Sequence, residues 1–206
     1  MPLAEAVPFQ AVPPSSSGWL QTLRGALFQP RQQFGRLQPG PVGPAAKLTV
    51  ISLGLVATAA VLTDDELYLG RVPLVLGRGL MMWVVGVLWL LGPQAFLFRQ
   101  VMRLFGSSQP LSLAQHGMAA FAVLLSVFGV ALSVAGISPE SAPFVISWYL
   151  ALATLTVLGT HALYQFAVGA YGLSPGKAVG AVLVFELVHG IALVITLSVL
   201  LTLIKV

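Results

Sequence analysis

Residues 161–190 read HALYQFAVGAYGLSPGKAVGAVLVFELVHG, two apolar runs joined by the turn Tyr171–Lys177. The runs extend over about 143–169 and 178–204, and each is longer than the ~20 residues that a transmembrane α-helix needs. Two histidines, a glutamine and a glutamate interrupt them: His161, Gln165, Glu186 and His189. Polar groups are costly in hydrocarbon, so ionisable residues inside such helices are functional-site candidates.

The composition of the whole chain points to a membrane protein. It has 206 residues, of which 57% are hydrophobic and only 8% charged, whereas soluble domains carry about 25% charged residues. There is no cysteine, which excludes a disulfide framework and thiolate chemistry. The Pro/Ser-rich residues 1–17 lack the basic and apolar regions of a signal peptide, and we predict a disordered tail there.

Five apolar stretches, at about 46–63, 79–98, 117–137, 143–169 and 178–204, form the predicted membrane domain 45–206. None shows sustained period-2 alternation, so a β-barrel is not expected. We predict an all-α bundle of five transmembrane helices. The partly apolar segment Leu67–Gly77 lies in the interface, lengthens the second span or forms a re-entrant element.

Pro93 interrupts the second apolar stretch, within Gly92-Pro93-Gln94. A proline inside a span frees a backbone carbonyl, which neighbouring groups must satisfy. We therefore predict a helix kink at Pro93. The structural role is favoured, although broken helices also line the binding sites of transporters.

Residues 18–38 have the pattern of two short amphipathic helices. One apolar face is predicted to lie in the membrane interface; the alternative is that this segment packs against the bundle. Its residues are Trp19, Leu20, Leu23, Leu27 and, beyond the break at Pro30, Phe34.

The distribution of Lys and Arg predicts the orientation. With five spans, seven of them share the side of the N-terminus: Arg24, Arg31, Arg36, Lys47, Arg99, Arg103 and Lys177. The other side holds three: Arg71, Arg78 and Lys205. Basic residues favour the cytoplasmic side, so we expect a cytoplasmic N-terminus and a C-terminus on the far side.

The hairpin turn places His161 near the level of Glu186 and His189. Glu186 lies roughly 13 Å along its helix from Lys177, inside the hydrocarbon. Three interpretations stay open: an interhelical hydrogen-bond cluster, a proton or metal-cation site using His161, Glu186 and His189, or a polar pocket for a lipid headgroup or partner helix. The Glu-x-x-His motif of di-iron bundles occurs once here, and those bundles use it twice.

Enzyme motifs are absent from the sequence: there is no G-x-S-x-G, P-loop or H-E-x-x-H. We predict no catalytic residue, no cofactor and no enzymatic activity. The net charge of +4 concerns membrane orientation, and no nucleic-acid partner is expected.

Three features together resemble a known family. They are Leu27-Phe28-Gln29-Pro30 followed by Phe34, Trp148 near the start of the fourth span, and the connection Tyr171–Ala178. The chain resembles, from about Trp19 onward, the Yip family of five-span membrane proteins, and especially its short prokaryotic members. The resemblance implies the same orientation, and eukaryotic members bind Rab GTPases and form homo- and hetero-oligomers. Their Asp-Leu-Tyr-Gly-Pro segment has no match here, so a Rab-type partner is not expected.

The sequence therefore favours a non-enzymatic protein of a prokaryotic cytoplasmic membrane. Its partners would be the lipid bilayer, further copies of itself or other membrane proteins. The alternative is a small transporter or channel for a proton, a metal cation or a lipid, using the intramembrane His/Glu cluster.

Overall fold

A computed structural model of the protein describes residues 18–64, 67, 69–134 and 142–204. These residues contain helices and turns and no β-strand, which confirms the prediction of an all-α fold. The predicted tail at 1–17 lies outside the described residues. In chain order the helices are α1 Trp19–Phe28, α2 Pro30–Gly35, α3 Val42–Leu62, α4 Val72–Trp89, a π-helical turn Leu90–Gln94, α5 Ala95–Leu104, α6 Leu111–Val134, α7 Ala142–Gly169 and α8 Pro175–Ile204.

Four helical segments in the described part of the chain are long and apolar enough to cross a membrane. They are Val42–Leu62, Val72–Leu104, Leu111–Ala131 and Pro175–Thr196. Proline and glycine define the turn between α7 and α8. Pro175 is the first residue of α8, where its missing N–H costs nothing. Gly172, at φ +67°, adopts the left-handed conformation after α7 that lets the chain reverse.

The second of these segments begins earlier than the sequence pattern indicates. α4 starts at Val72, so the end of the segment Leu67–Gly77 lengthens this helix. Pro93 lies inside the π-helical turn, where the wider backbone accommodates a residue without an N–H. The side chain of Gln115 on α6 donates a hydrogen bond of 3.0 Å to the carbonyl of Leu91, next to the carbonyls that a proline disturbs.

Helix α6 is central to the bundle and packs against α1, α3, α5 and α7. α3 also packs on α4, while α8 packs on α5 and α7. The starts of α3, α6 and α8 lie at the same end of the bundle as the ends of α5 and α7. We call this the basic end, since it carries the seven residues Arg24, Arg31, Arg36, Lys47, Arg99, Arg103 and Lys177.

An aromatic cluster fills the core near the basic end. Phe98 of α5 stacks on Phe166 of α7, with ring centroids 5.3 Å apart. It makes edge contacts with Tyr171 at 5.5 Å and with Phe185 at 4.9 Å. Phe34 of α2 packs on Phe166 at 6.2 Å. These rings join four segments that are distant in the sequence.

The two N-terminal helices pack on the bundle. Phe34, expected on the membrane-facing side, is only 1% exposed and belongs to the aromatic cluster. The Trp19 indole donates a hydrogen bond of 3.1 Å to the Ser52 hydroxyl of α3. Leu23 and Leu27 are half-buried, and Leu20 is exposed. The bundle therefore covers part of the predicted apolar face, most completely at Phe34.

Candidate functional site

The α7–α8 hairpin brings a threonine opposite the glutamate. The Thr160 hydroxyl donates a hydrogen bond of 2.5 Å to Oε1 of Glu186. Thr160 precedes His161 by one residue, so the pairing level is close to the one that the turn position predicts. Both side chains are half-buried. The hydroxyl gives the carboxyl one donor at the edge of the contact between α7 and α8.

His189 has different neighbours. Its ring stacks on Phe185, with centroids 5.4 Å apart and planes 5° from parallel. The Trp89 indole of α4 donates to Nε2 of His189 at 3.4 Å. An indole N–H is only a donor, so Nε2 acts as an acceptor in this contact. That nitrogen is therefore engaged by Trp89 and is not free for a metal ion.

His161 and Gln165 lie on the outer side of α7. His161 is exposed, and its ring Nε2 is 3.5 Å from the Gln165 amide nitrogen, at the limit of a hydrogen bond. The four predicted site residues thus form three separate pairings rather than one cluster. Within the described ranges, no group of three or more His, Asp or Glu side chains is placed to hold a metal ion.

A shallow groove, largely open to the outside, lies on the outer face of α8 beside Glu186. Its volume is about 410 Å³, and its lining is apolar except for the carboxyl. The residues that line this α8 groove are Glu186, Leu187, Gly190, Ile191, Val194 and Ile195. Gly190 contributes to the depression because a Cβ there would meet nothing within 4 Å. A lining of apolar side chains with one carboxyl suits an apolar helix better than a hydrated ion.

Two residues of the site were missed from the sequence. Thr160 could have been found, since its position follows from the turn and the antiparallel pairing of α7 and α8. A threonine in an apolar helix usually bonds to its own backbone, as Thr154 does to Leu150, and so attracts no attention. Trp89 had no such signal, because it lies 100 residues from His189.

Comparisons with known proteins add no relative: no family model, no curated protein and no solved structure matches the chain. The resemblance to the Yip family therefore stays a prediction.

Proposed function

We propose that this protein is a non-enzymatic integral membrane protein whose α8 groove binds a transmembrane helix of a partner. The observation that carries the proposal is a carboxyl and a glycine in a groove on an exposed, otherwise apolar helix face. In hydrocarbon, small residues let helices approach closely, and polar side chains form hydrogen bonds between them. A partner helix would cover both features of the groove.

The proposal includes five spans. α7 has 28 residues, about 42 Å of helix, which is enough to cross a bilayer. It packs against α8, which is long and apolar enough to cross a membrane. The positive-inside rule then gives a cytoplasmic N-terminus, in a prokaryotic cytoplasmic membrane as the Yip resemblance implies.

The N-terminal helices are proposed to lie at the cytoplasmic interface. Ser52, the partner of the Trp19 indole, is five residues beyond Lys47, or about 7.5 Å deeper along α3. Interfacial helices bury their apolar faces to a similar depth. Leu20 and Phe28 are exposed on the outer side of α1, and lipid would cover them there.

The partner is a further copy of this chain or another membrane protein, within the lipid bilayer. A Rab-type GTPase is not proposed, since the segment that eukaryotic Yip members carry before their first span has no counterpart here.

Site-specific photocrosslinking in native membranes tests the proposal. A photoreactive amino acid replaces Ile191 in the α8 groove or, as a control, the exposed Leu80 of α4. We expect a discrete protein adduct from position 191, identified by mass spectrometry, and lipid adducts from position 80. Gly190→Leu should fill the groove and remove the adduct while the protein stays folded. Lipid adducts alone at both positions would refute a helix-binding face.

The competing function is transport of a proton or metal cation past Glu186, whose carboxyl lies within a long apolar helix. Reconstituted liposomes with a pH-sensitive or metal-sensitive dye distinguish the two functions. We expect the same background flux from the parent protein and from Glu186→Gln. Flux in the parent that disappears in Glu186→Gln would establish transport and displace the interaction function.

A further inference from the structure

Among the described residues, the basic end of the bundle has no acidic side chain to balance its charge. The sequence contains no Asp or Glu between Ala6 and Thr63 or between Leu67 and Pro139. The turn between α7 and α8 has none either, and Glu186 lies well along α8. The seven cations of the basic end therefore have no carboxylate partner within the described residues there. The described residues therefore leave this end with a net positive charge that anions can balance.

Three of these cations belong to residues at or beside the loop between α5 and α6. Arg99 and Arg103 are four positions apart in the sequence and so share one side of α5. Lys177 arrives from the first turn of α8, and its Nζ lies 3.7 Å from where a Cβ on Gly106 would be. Arg103 and Lys177 are exposed, and Arg99 is half-buried. Lys177 thus lies against the loop residue Gly106, Arg99 bonds to the far end of the same loop at Gln109, and Arg103 is on the last turn of α5 before it.

The loop is held in place before any ligand binds. The Arg99 Nε donates to the carbonyl of Gln109 at 3.2 Å. The buried Ser107 hydroxyl donates to the carbonyl of Tyr171 at 3.1 Å, which ties this loop to the α7–α8 turn. Gly106 has φ +100°, a conformation that favours glycine. Little ordering would therefore be needed on binding, which favours affinity.

The surroundings of the three cations are partly apolar. Leu104, next to Arg103, is 80% exposed. A soluble phosphate bound to the three cations would leave this leucine in water. A phospholipid would place its headgroup on the cations and its acyl chains beside the leucine. The combination of exposed Leu104 and clustered positive charge therefore favours a lipid over a soluble anion.

We propose that Arg99, Arg103 and Lys177 form a binding site for the phosphate of an anionic phospholipid in the leaflet at the basic end. Guanidinium groups bind phosphate oxygens through paired N–H donors, and Lys177 adds a compact charge. Basic pockets between membrane helices hold anionic headgroups in this way. The site is separate from the α8 groove and does not depend on a partner helix.

Native mass spectrometry of the full-length protein with added phosphatidylglycerol or phosphatidylcholine tests the site. The site variant is Arg103→Gln with Lys177→Gln, which keeps Arg99 and its bond to Gln109. The matched control is Arg31→Gln with Lys47→Gln, which removes the same charge from exposed positions at the same end. We expect the site variant to weaken phosphatidylglycerol binding about tenfold or more, and the control to weaken it less than threefold.

Three results would overturn the proposal. Equal losses in both variants would mean diffuse attraction to the basic end. Equal binding of phosphatidylcholine and phosphatidylglycerol by the parent would show that the net charge of the lipid does not determine binding. Displacement of phosphatidylglycerol by millimolar inorganic phosphate would reassign the site to a soluble phosphorylated ligand. Retention of phosphatidylglycerol in that competition supports a lipid.

Discussion

The core near the basic end and the outer face of α8 are built in opposite ways. At the basic end, rings from α2, α5, α7 and α8 contact one another and exclude solvent. Along the outer face of α8, a Cβ on Gly190 would meet open space, and Glu186 accepts, among the described residues, one hydroxyl hydrogen bond from a neighbouring helix. The first region is closed by its own chain. The second is available to something outside it, which is why the proposed helix-binding function is assigned there.

The largest expected effect comes from Phe98→Ala in the closed region. Phe98 is 0% exposed and contacts three aromatic rings, so its loss should lower the free energy of unfolding by about 3–5 kcal/mol. Phe96→Ala on the same helix is the control, because Phe96 is 50% exposed. This substitution should change the free energy of unfolding by about 0.5 kcal/mol. Reversible unfolding in mixed micelles measures both. Similar losses in the two variants would contradict a closed core at Phe98.

Glycine substitutions compare the two regions directly. A Cβ on Gly169 would collide with the backbone of Gly35, so Gly169→Ala should displace α2 and cost about 1–3 kcal/mol. The Cβ added by Gly190→Ala has nothing within 4 Å. This substitution should be neutral or stabilise the helix by up to about 1 kcal/mol. Thermal unfolding in detergent measures the pair. A larger loss from Gly190→Ala would show that the α8 groove is filled within the chain itself.

Thr160→Val should have a smaller effect, because it removes the one hydroxyl donor to Glu186. Hydrogen bonds between membrane helices contribute about 0.6 kcal/mol on average. Thr154→Val is the matched control, since Thr154 bonds only within its own helix. Unfolding midpoints should rank the parent and Thr154→Val together, above Thr160→Val. If Thr154→Val proved the more damaging, the Thr160–Glu186 bond would not join α7 and α8.

Tyr171→Phe should have the smallest effect at neutral pH. The Tyr171 side chain is 4% exposed, and its hydroxyl has no hydrogen-bond partner among the described residues, so removing it should be neutral or slightly stabilising. Burial raises the pKa of Tyr171 above its ordinary value, and the charge of Arg99 opposes part of that rise.

The raised pKa of Tyr171 adds an alkaline prediction. The unfolded chain releases this proton above about pH 10 while the folded chain keeps it, so stability should fall as pH rises beyond 10. The Phe variant should lose less stability between pH 9 and pH 11 than the parent does, as measured by unfolding midpoints. A destabilised Phe variant at neutral pH would mean that the hydroxyl has a partner.

Much of the fold follows from the sequence, because apolar runs longer than 20 residues have few alternatives to helices. The limits were less accurate where charges interrupt the pattern. Arg71 and Arg78 suggested that the second helix begins after them, yet α4 starts at Val72. A single charged side chain does not break backbone hydrogen bonds, and a long arginine reaches the polar region while its stem stays in the helix.

The site was less predictable than the fold. Counting residues from the turn predicted which levels of α7 and α8 face each other to within about two residues, but a level along the helix does not specify direction around it. Glu186 contacts α7, while His189, three residues later, contacts α4. Likewise, the amphipathic pattern near Phe34 predicts that one helix face is covered, but it does not distinguish lipid from protein as the cover. Only the assembled bundle distinguishes these cases.

The π-helical turn at Leu90–Gln94 determines which side chains of α5 point toward the core. One extra residue in a helical turn rotates the downstream helix by about 100° about its axis. With the turn present, Phe98 points into the aromatic cluster while Arg99 and Arg103 lie beside the α5–α6 loop. A chain shortened by one residue there would keep its apolar length and its charge, yet would turn a different set of side chains toward the core. The length of this one turn therefore aligns both the core and the charged surface at the basic end.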